Sequence, residues 1–413
     1  MRRSRKITGS NFVKALLFAW TQNHSPSVEG IARAGYSHGL RISAQGLDKR
    51  FTPAASDLMR GVLEAAVAQV VTASHEVDID LLNRFTAVYL ADTSTVTLPT
   101  ELETVWQGVG GSGNASQAAV KIDTCLELKT GQLHLGLLPG RHSDNRSPIA
   151  ESVYEPGSLR LQDLGYFNLA RMKEQDQRGE YWISRLRTRT QVLTLGGDPI
   201  DVPAYLHALS KQGIVRHERT VKVGASEHLN VRWLVWQLPE ETAAQRRATM
   251  RDRAQKHGRM PRAESLAWCD WQMLITNIEP EKLTQDECFL LYGARWQIEL
   301  MFKLWKTHGR LGYSHSEKPQ RILCELYAKL LSVLVQHWIV LTGLWRRPHR
   351  SLVKGCQMIK EQSARLAHCI DDFDVLVELL EELADRFEQG CSLNARKKKP
   401  NTSQQLEAGS AFL

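Results

Sequence analysis

Between Phe85 and Leu186 the sequence switches repeatedly between strand-like and helix-like runs, and this order constrains the fold more than any other feature of the chain. Phe85–Ala91 is a β-rich run that ends at Asp92. Ala118–Leu128 and Gln132–Leu138 flank Lys129-Thr130-Gly131, the chemistry of a hairpin turn. A short strand over Leu159–Gln162 ends at Asp163, a helix follows over Asn168–Gln177, and Tyr181–Leu186 is strand again. This order predicts an α/β fold, a mixed sheet with helices packed on its faces.

The flanking regions differ. Thr188–Leu195, Ile214–Val223 and Leu229–Leu238 are rich in Val, Thr and Trp and separated by Gly, Pro and Asp, which predicts an all-β insertion over residues 187–280. A basic helix over Thr242–His257 and a last strand over Trp271–Asn277 complete it. Helices return from Thr284 and run to an acidic amphipathic helix over Asp371–Phe387, and the polar tail from Asn394 reads as disordered. The first 84 residues carry apolar positions at helical spacing. Within them Ser27–Ala34, a glycine-bearing turn and Ser43–Phe51 have the layout of a helix-turn-helix, whose second helix would offer Gln45, Lys49 and Arg50 to a DNA groove.

Charge narrows the partners. The chain holds 53 Lys and Arg against 45 Asp and Glu, a formal net charge of +8. Residues 1–60 alone hold ten cations and three anions, Arg246–Arg262 holds seven cations against Asp252, and Arg396–Lys399 is a third basic run. Such stretches suit a polyanion such as DNA, and solvated helix faces remain the alternative for each. The seven cysteines are scattered and never form C-x-x-C, which argues against a disulfide framework or structural zinc and for a reducing cytoplasm. No export signal follows the basic N-terminus, and the apolar, uncharged stretch Leu330–Trp345 is shorter than the roughly 20 residues of a membrane span and reads as a buried helix.

The segment Tyr292–Lys306 carries the chemistry. At about 100° per residue, Tyr292, Arg295, Glu299 and Lys306 share one helix face beside an apolar stripe of Leu291, Ala294, Ile298, Met301 and Trp305. A carboxylate flanked by cations and a phenol suits Mg²⁺ and phosphate oxygens. Taken alone, the same spacing also fits a surface helix with i, i+4 ion pairs.

The spacing Tyr-x2-Arg-x3-Glu-x6-Lys resembles the Y-R-E-K signature of the bacterial DDE transposases of the insertion-sequence-four family. Val88-Tyr-Leu-Ala-Asp92-Thr-Ser is similar to that family's first aspartate, and Leu161-Gln-Asp163-Leu-Gly-Tyr-Phe167 to its second. The resemblance implies an RNase H-like domain in which Asp92, Asp163 and Glu299 hold two Mg²⁺ ions, replaceable by Mn²⁺, for phosphodiester hydrolysis and strand transfer. It implies that Tyr292, Arg295 and Lys306 contact phosphates and that Trp271 stacks on a flipped base in a hairpin at the transposon end. It also implies cut-and-paste transposition by a homodimer on inverted terminal repeats and target DNA, in the bacterial cytoplasm and away from membranes. The organisation expected is a helical DNA-binding region (1–84), a catalytic domain in two parts (85–186 and 281–345) around the insertion (187–280), and C-terminal helices with a tail (346–413). A DNA-binding relative that no longer cuts and an RNase H-like host nuclease stay open as alternatives. Asp144, in the polar loop Arg141–Arg146, ranks as a fourth carboxylate near the cleft, whereas Asp123 and Asp176 read as structural or solvated.

Overall fold

A computed structural model describes residues 7–110, 117–314, 316–394 and 400–409. The basic segments Met1–Lys6 and Arg396–Lys399 lie outside them. The amino-terminal block consists of α1 (Gly9–Gln22), α2 (Val28–Gly35), α3 (Ala44–Asp48), α4 (Pro53–Val67) and α5 (Asp80–Asn83). The first four begin at Thr8, Ser27, Ser43 and Thr52, each hydroxyl accepting a hydrogen bond from the amide three residues on.

The sheet then begins with β1 (Val88–Leu98), β2 (Ala118–Glu127) and β3 (Leu133–Pro139), an antiparallel meander. After α6 (Pro148–Glu151), β4 (Leu159–Gln162) returns parallel to β1; after α7 (Leu169–Gln177), β5 (Tyr181–Arg185) lies parallel to β4. The β2–β3 turn is held from inside. The buried carboxylate of Glu127 accepts from the amides of Val88 (3.0 Å), Lys129 (3.0 Å) and Thr130 (2.6 Å), and Gly131 takes a φ of 73° that favours glycine.

The insertion comprises β6 (Val192–Leu193), α8 (Val202–Lys211), β7 (Arg216–Val223), β8 (Leu229–Gln237), α9 (Glu240–Lys256), α10 (Ala263–Ala267) and β9 (Trp271–Thr276). Its strands do not stand apart. β9 pairs antiparallel with both β5 and β8, so one sheet runs β3-β2-β1-β4-β5-β9-β8-β7-β6. Strand alternation sends Leu234 and Leu274 into the main core, and Trp233, Val235, Met273 and Ile275 into a second core on the other face. The insertion is also not all β. Helix α8 starts on the Asp201 cap and buries Val202, Leu206 and Leu209, a helical spacing that its β-rich flanks conceal.

The remaining elements are α11 (Gln285–Ala294), α12 (Trp296–Thr307), α13 (Pro319–Leu341), α14 (Leu352–Glu361), α15 (Ser363–Cys369), α16 (Phe373–Gly390) and α17 (Thr402–Ala408). Among the described residues, α13 is the one helix long and apolar enough to cross a membrane, but it is buried as the central helix of the main core. The helices α1 and α4 lie against it, with Thr21 Oγ1 2.8 Å from Ser332 Oγ and Ser56 Oγ donating to Gln320 Oε1 at 2.7 Å. The tail that the sequence leaves disordered contains α17, which buries Leu406.

Candidate active site

The register of two parallel strands makes the site. β1 and β4 pair up to Ala91 opposite Gln162, so the next residue on each chain is an aspartate, Asp92 and Asp163. Neighbouring strands run about 4.8 Å apart, which sets these two carboxylates side by side at one edge of the parallel segment. Asp92 is not the end of its strand, as the sequence suggests; β1 continues to Leu98 on its pairing with β2. Asp163 closes β4 and starts the turn Leu164–Tyr166.

The third carboxylate arrives from the helices. Arg295 separates α11 from α12, and its amide and carbonyl make i, i+3 bonds (Arg295 N to Tyr292 O 3.2 Å, Ile298 N to Arg295 O 3.3 Å). The chain tightens there, so the four motif residues do not share one straight helix face. The Arg295 guanidinium instead bridges the site, donating to Glu299 at 2.5 Å and lying 3.6 Å from Asp92. Tyr292 turns inward; it is 6% exposed and its hydroxyl donates to the Gln162 carbonyl at 3.4 Å. Lys306 is exposed two turns further along α12, where it lines a separate groove with Thr95, Thr97, Arg310 and Tyr313. Lys49 and Arg50 are exposed at the end of α3. Trp271 is not presented to the site. It is 5% exposed, sits in the second core and pairs across the sheet with Gln237.

One group at the site escapes a reading of motifs, and the fourth carboxylate, Asp144, takes a supporting place. Arg185, at the end of β5, pairs with Asp163 at 2.8 Å. Its place at the carboxyl end of a parallel strand, next to the strand carrying Asp163, is the signal that would have found it. Asp144 takes the Lys121 ammonium at 2.6 Å and the Thr93 hydroxyl at 3.1 Å, while the Thr93 amide donates to Asp92 at 2.8 Å. It therefore supports Asp92 through Thr93. Asp123 is buried and accepts from Tyr166 (3.1 Å) and the Ile149 amide (3.3 Å), a structural role.

The electrostatics separate the two aspartates. Burial pushes Asp92 up to about 6, with Asp163 and Glu299 adding to the rise against the Thr93 amide and Arg295. Burial acts the same way on Asp163, but the guanidiniums of Arg295 and Arg185 outweigh it and hold that carboxyl below the usual range. Among the described residues no three His, Cys, Asp or Glu side chains stand close enough to form a finished metal cluster, and the cation between Asp92 and Glu299 is the Arg295 guanidinium. The donor chemistry still fits a hard divalent ion, because the oxygens that Asp92, Asp163 and Glu299 offer are all carboxylate.

Comparison with known proteins agrees with this geometry. The chain is 27% identical over 359 residues to the transposase of an IS231 insertion sequence element from Bacillus thuringiensis subsp. israelensis, covering 81% of this chain and 74% of that protein. It is 24% identical over 362 residues to the transposase of insertion sequence element IS1151 from Clostridium perfringens, covering 83% and 76%. These relatives are consistent with the insertion-sequence-four group. The family described as Transposase DDE domain matches residues 83–335. With more than half of its 413 residues in that match, the chain belongs to the DDE transposase family.

Proposed function

We propose that this chain is the transposase of an insertion sequence, a cytoplasmic cut-and-paste enzyme that binds its terminal inverted repeats as a homodimer, cleaves DNA there with Mg²⁺ and joins the freed ends to target DNA. The observation that carries this reading is the parallel register that sets Asp92 beside Asp163, with Glu299 tied to them through Arg295. Asp92, Asp163 and Glu299 would hold the metal ions. The chemistry two such ions supply is activation of a water or 3′-hydroxyl and stabilisation of the leaving oxygen in an in-line displacement.

The chain's own cations bind and orient the phosphates. The guanidiniums of Arg185 and Arg295 stand beside Asp163, Asp92 and Glu299, and guanidinium donors there suit phosphate oxygens. Lys306 extends the contact along α12, and Tyr292 holds the helix against β4 through Gln162. The exposed Lys49 and Arg50 read the repeat, and the exposed cations of α9 and the loop after it add contacts to the DNA backbone. The donor DNA leaves through a hairpin; Trp271, which the resemblance offers for the unstacked base, would have to leave the second core to hold it. Incubation with labelled DNA carrying the inverted repeats, with and without Mg²⁺, tests the reading. Mg²⁺-dependent nicks at the repeat ends and joined products are expected; binding without cutting would leave a DNA-binding relative, and cutting of branched junctions alone a host nuclease.

A further inference from the structure

The first and third carboxylates share one cation. The Arg295 guanidinium donates to Glu299 at 2.5 Å and lies 3.6 Å from Asp92, which joins a residue of β1 to a residue of α12. Among the described residues no other Lys or Arg pairs with either of these carboxylates. Asp163 has a cation of its own, Arg185 at 2.8 Å. The two arginines also differ in their surroundings: the Arg295 side chain is 12% exposed, that of Arg185 39%. Arg295 is thus the more enclosed of the two and the one that ties the site together.

A divalent ion held by Asp92 and Glu299 needs the oxygens that Arg295 engages, and it carries the same sign of charge as the guanidinium. At such short range, with little water between them, the two cations repel and compete. They are not equally bound to this place. A guanidinium finds in a phosphate diester an anion that fits its planar fork as well as a carboxylate does, whereas a hard divalent ion has its protein ligands only in the carboxylates.

We propose that Arg295 is an exchangeable counter-ion, which holds Asp92 and Glu299 and keeps divalent ions off them until a DNA phosphate draws the guanidinium away. The proposal rests on the reading of the chain as a metal-dependent transposase and adds to it a coupling between its two ligands. In the exchange the guanidinium trades a carboxylate for a phosphate and the carboxylates trade a guanidinium for the metal ion, so no enclosed charge is left without a partner. Coupling of this kind is reciprocal: the factor by which DNA raises the affinity for metal is the factor by which metal raises the affinity for DNA. A protein built in this way carries little metal at its carboxylates while it is off DNA.

The test is calorimetric titration of the full chain with Ca²⁺, which also takes carboxylate oxygens, alone and saturated with a duplex carrying the terminal repeat. Arg295→Gln should bind Ca²⁺ about tenfold more tightly than the wild type without DNA, and within about twofold of it with the duplex bound. Phosphate oxygens that themselves ligate the ion raise both proteins alike, so the gap between them and its closing carry the test. Arg185→Gln removes a cation that stays in place, and should change the affinity by one factor in both conditions. Arg295→Lys checks the Gln variant against misfolding, since one ammonium cannot span both carboxylates and its affinity without DNA should rise too. If neither Arg295 variant binds Ca²⁺ more tightly than the wild type without DNA, or if the gap persists with the duplex bound, the exchange is overturned and the transposase reading stands. If none of the proteins binds Ca²⁺ with the duplex present, the reading of the carboxylates as metal ligands falls with it.

Discussion

Asp92 sits where a carboxylate is costly to ionise. Burial and two neighbouring carboxylates lift it to about 6, whereas Asp163, one strand away, is held down by Arg295 and Arg185. An unfolded aspartate ionises near 3.9, so between that pH and about 6 the unfolded chain gives up the proton first, and above about 6 the folded chain carries a charge it resists. Asp92→Asn should therefore raise stability at pH 7 by about 1–3 kcal/mol in chemical denaturation, and the gain should fade as pH falls from about 6 towards 4. The same variant should not cut DNA. Alanine at Asp92, Asp163 or Glu299 should likewise remove cleavage and strand transfer while leaving binding to the repeat ends nearly intact in gel shifts, because phosphate contacts elsewhere carry affinity. Substantial Mg²⁺-dependent cutting by Glu299→Ala would remove that residue from the site. At this scale the sequence marks the acidic residues by their order and spacing. It does not show that Tyr292 and Trp271 turn inward, because Trp271-Gln-Met-Leu-Ile-Thr276 and Phe289-Leu-Leu-Tyr292 are apolar in nearly every position and give no polar alternation from which to read a face.

The elements most legible in advance are those whose chemistry is local, such as the β2–β3 turn; the helix that covers it is set by packing. The imidazole of His337 on α13 lies 2.7 Å from the Gly131 carbonyl oxygen at that turn, and Trp345 packs edge-on to the imidazole, ring centres 5.5 Å apart. A Cβ on Gly131 would fall 2.5 Å from Leu341 and 2.6 Å from Trp345, at a φ that penalises any side chain. Gly131→Ala should cost about 2–4 kcal/mol by denaturant titration, through strain and overpacking together. Burial drives the His337 imidazole down to about 4, against about 6.5 in the unfolded chain. The unfolded state then takes up the proton first, so stability falls as pH drops from about 6.5 to 4, by about 2 kcal/mol at pH 5 from this group. His337→Gln should flatten that slope in parallel denaturation series. The break at Arg295 is hidden for the opposite reason: Tyr292–Lys306 has an unbroken helical pattern, and nothing in it marks the i, i+3 backbone bonds that separate the two helices at Arg295.

At the scale of the whole molecule, the amino-terminal helices are both a DNA-reading candidate and a piece of the core. Phe12, Leu16, Trp20, Met59 and Leu63 are buried in the same cluster as the apolar face of α13, and Asp48 on α3 pairs with Lys318 and, at 3.7 Å, with Arg321. The sequence shows a change of period near Phe85 that looks like a domain boundary; burial crosses it, since a helical pattern states which face is apolar and not which partner covers it. A chain truncated to begin at Asp80 would uncover that face of α13. It should be insoluble or aggregated when purified, so its loss of DNA binding would say nothing about recognition. Lys49→Gln with Arg50→Gln in the full chain asks the question directly, because both side chains are exposed and no ion pair to either is present among the described residues. The double variant should keep its melting temperature and bind random DNA with a slightly shallower salt dependence. It should lose about 1–3 kcal/mol of preference for the terminal repeat if these side chains read base edges, measured by competition at fixed salt. A preference equal to that of the wild type would move recognition away from the end of α3 and leave the amino-terminal helices as core alone.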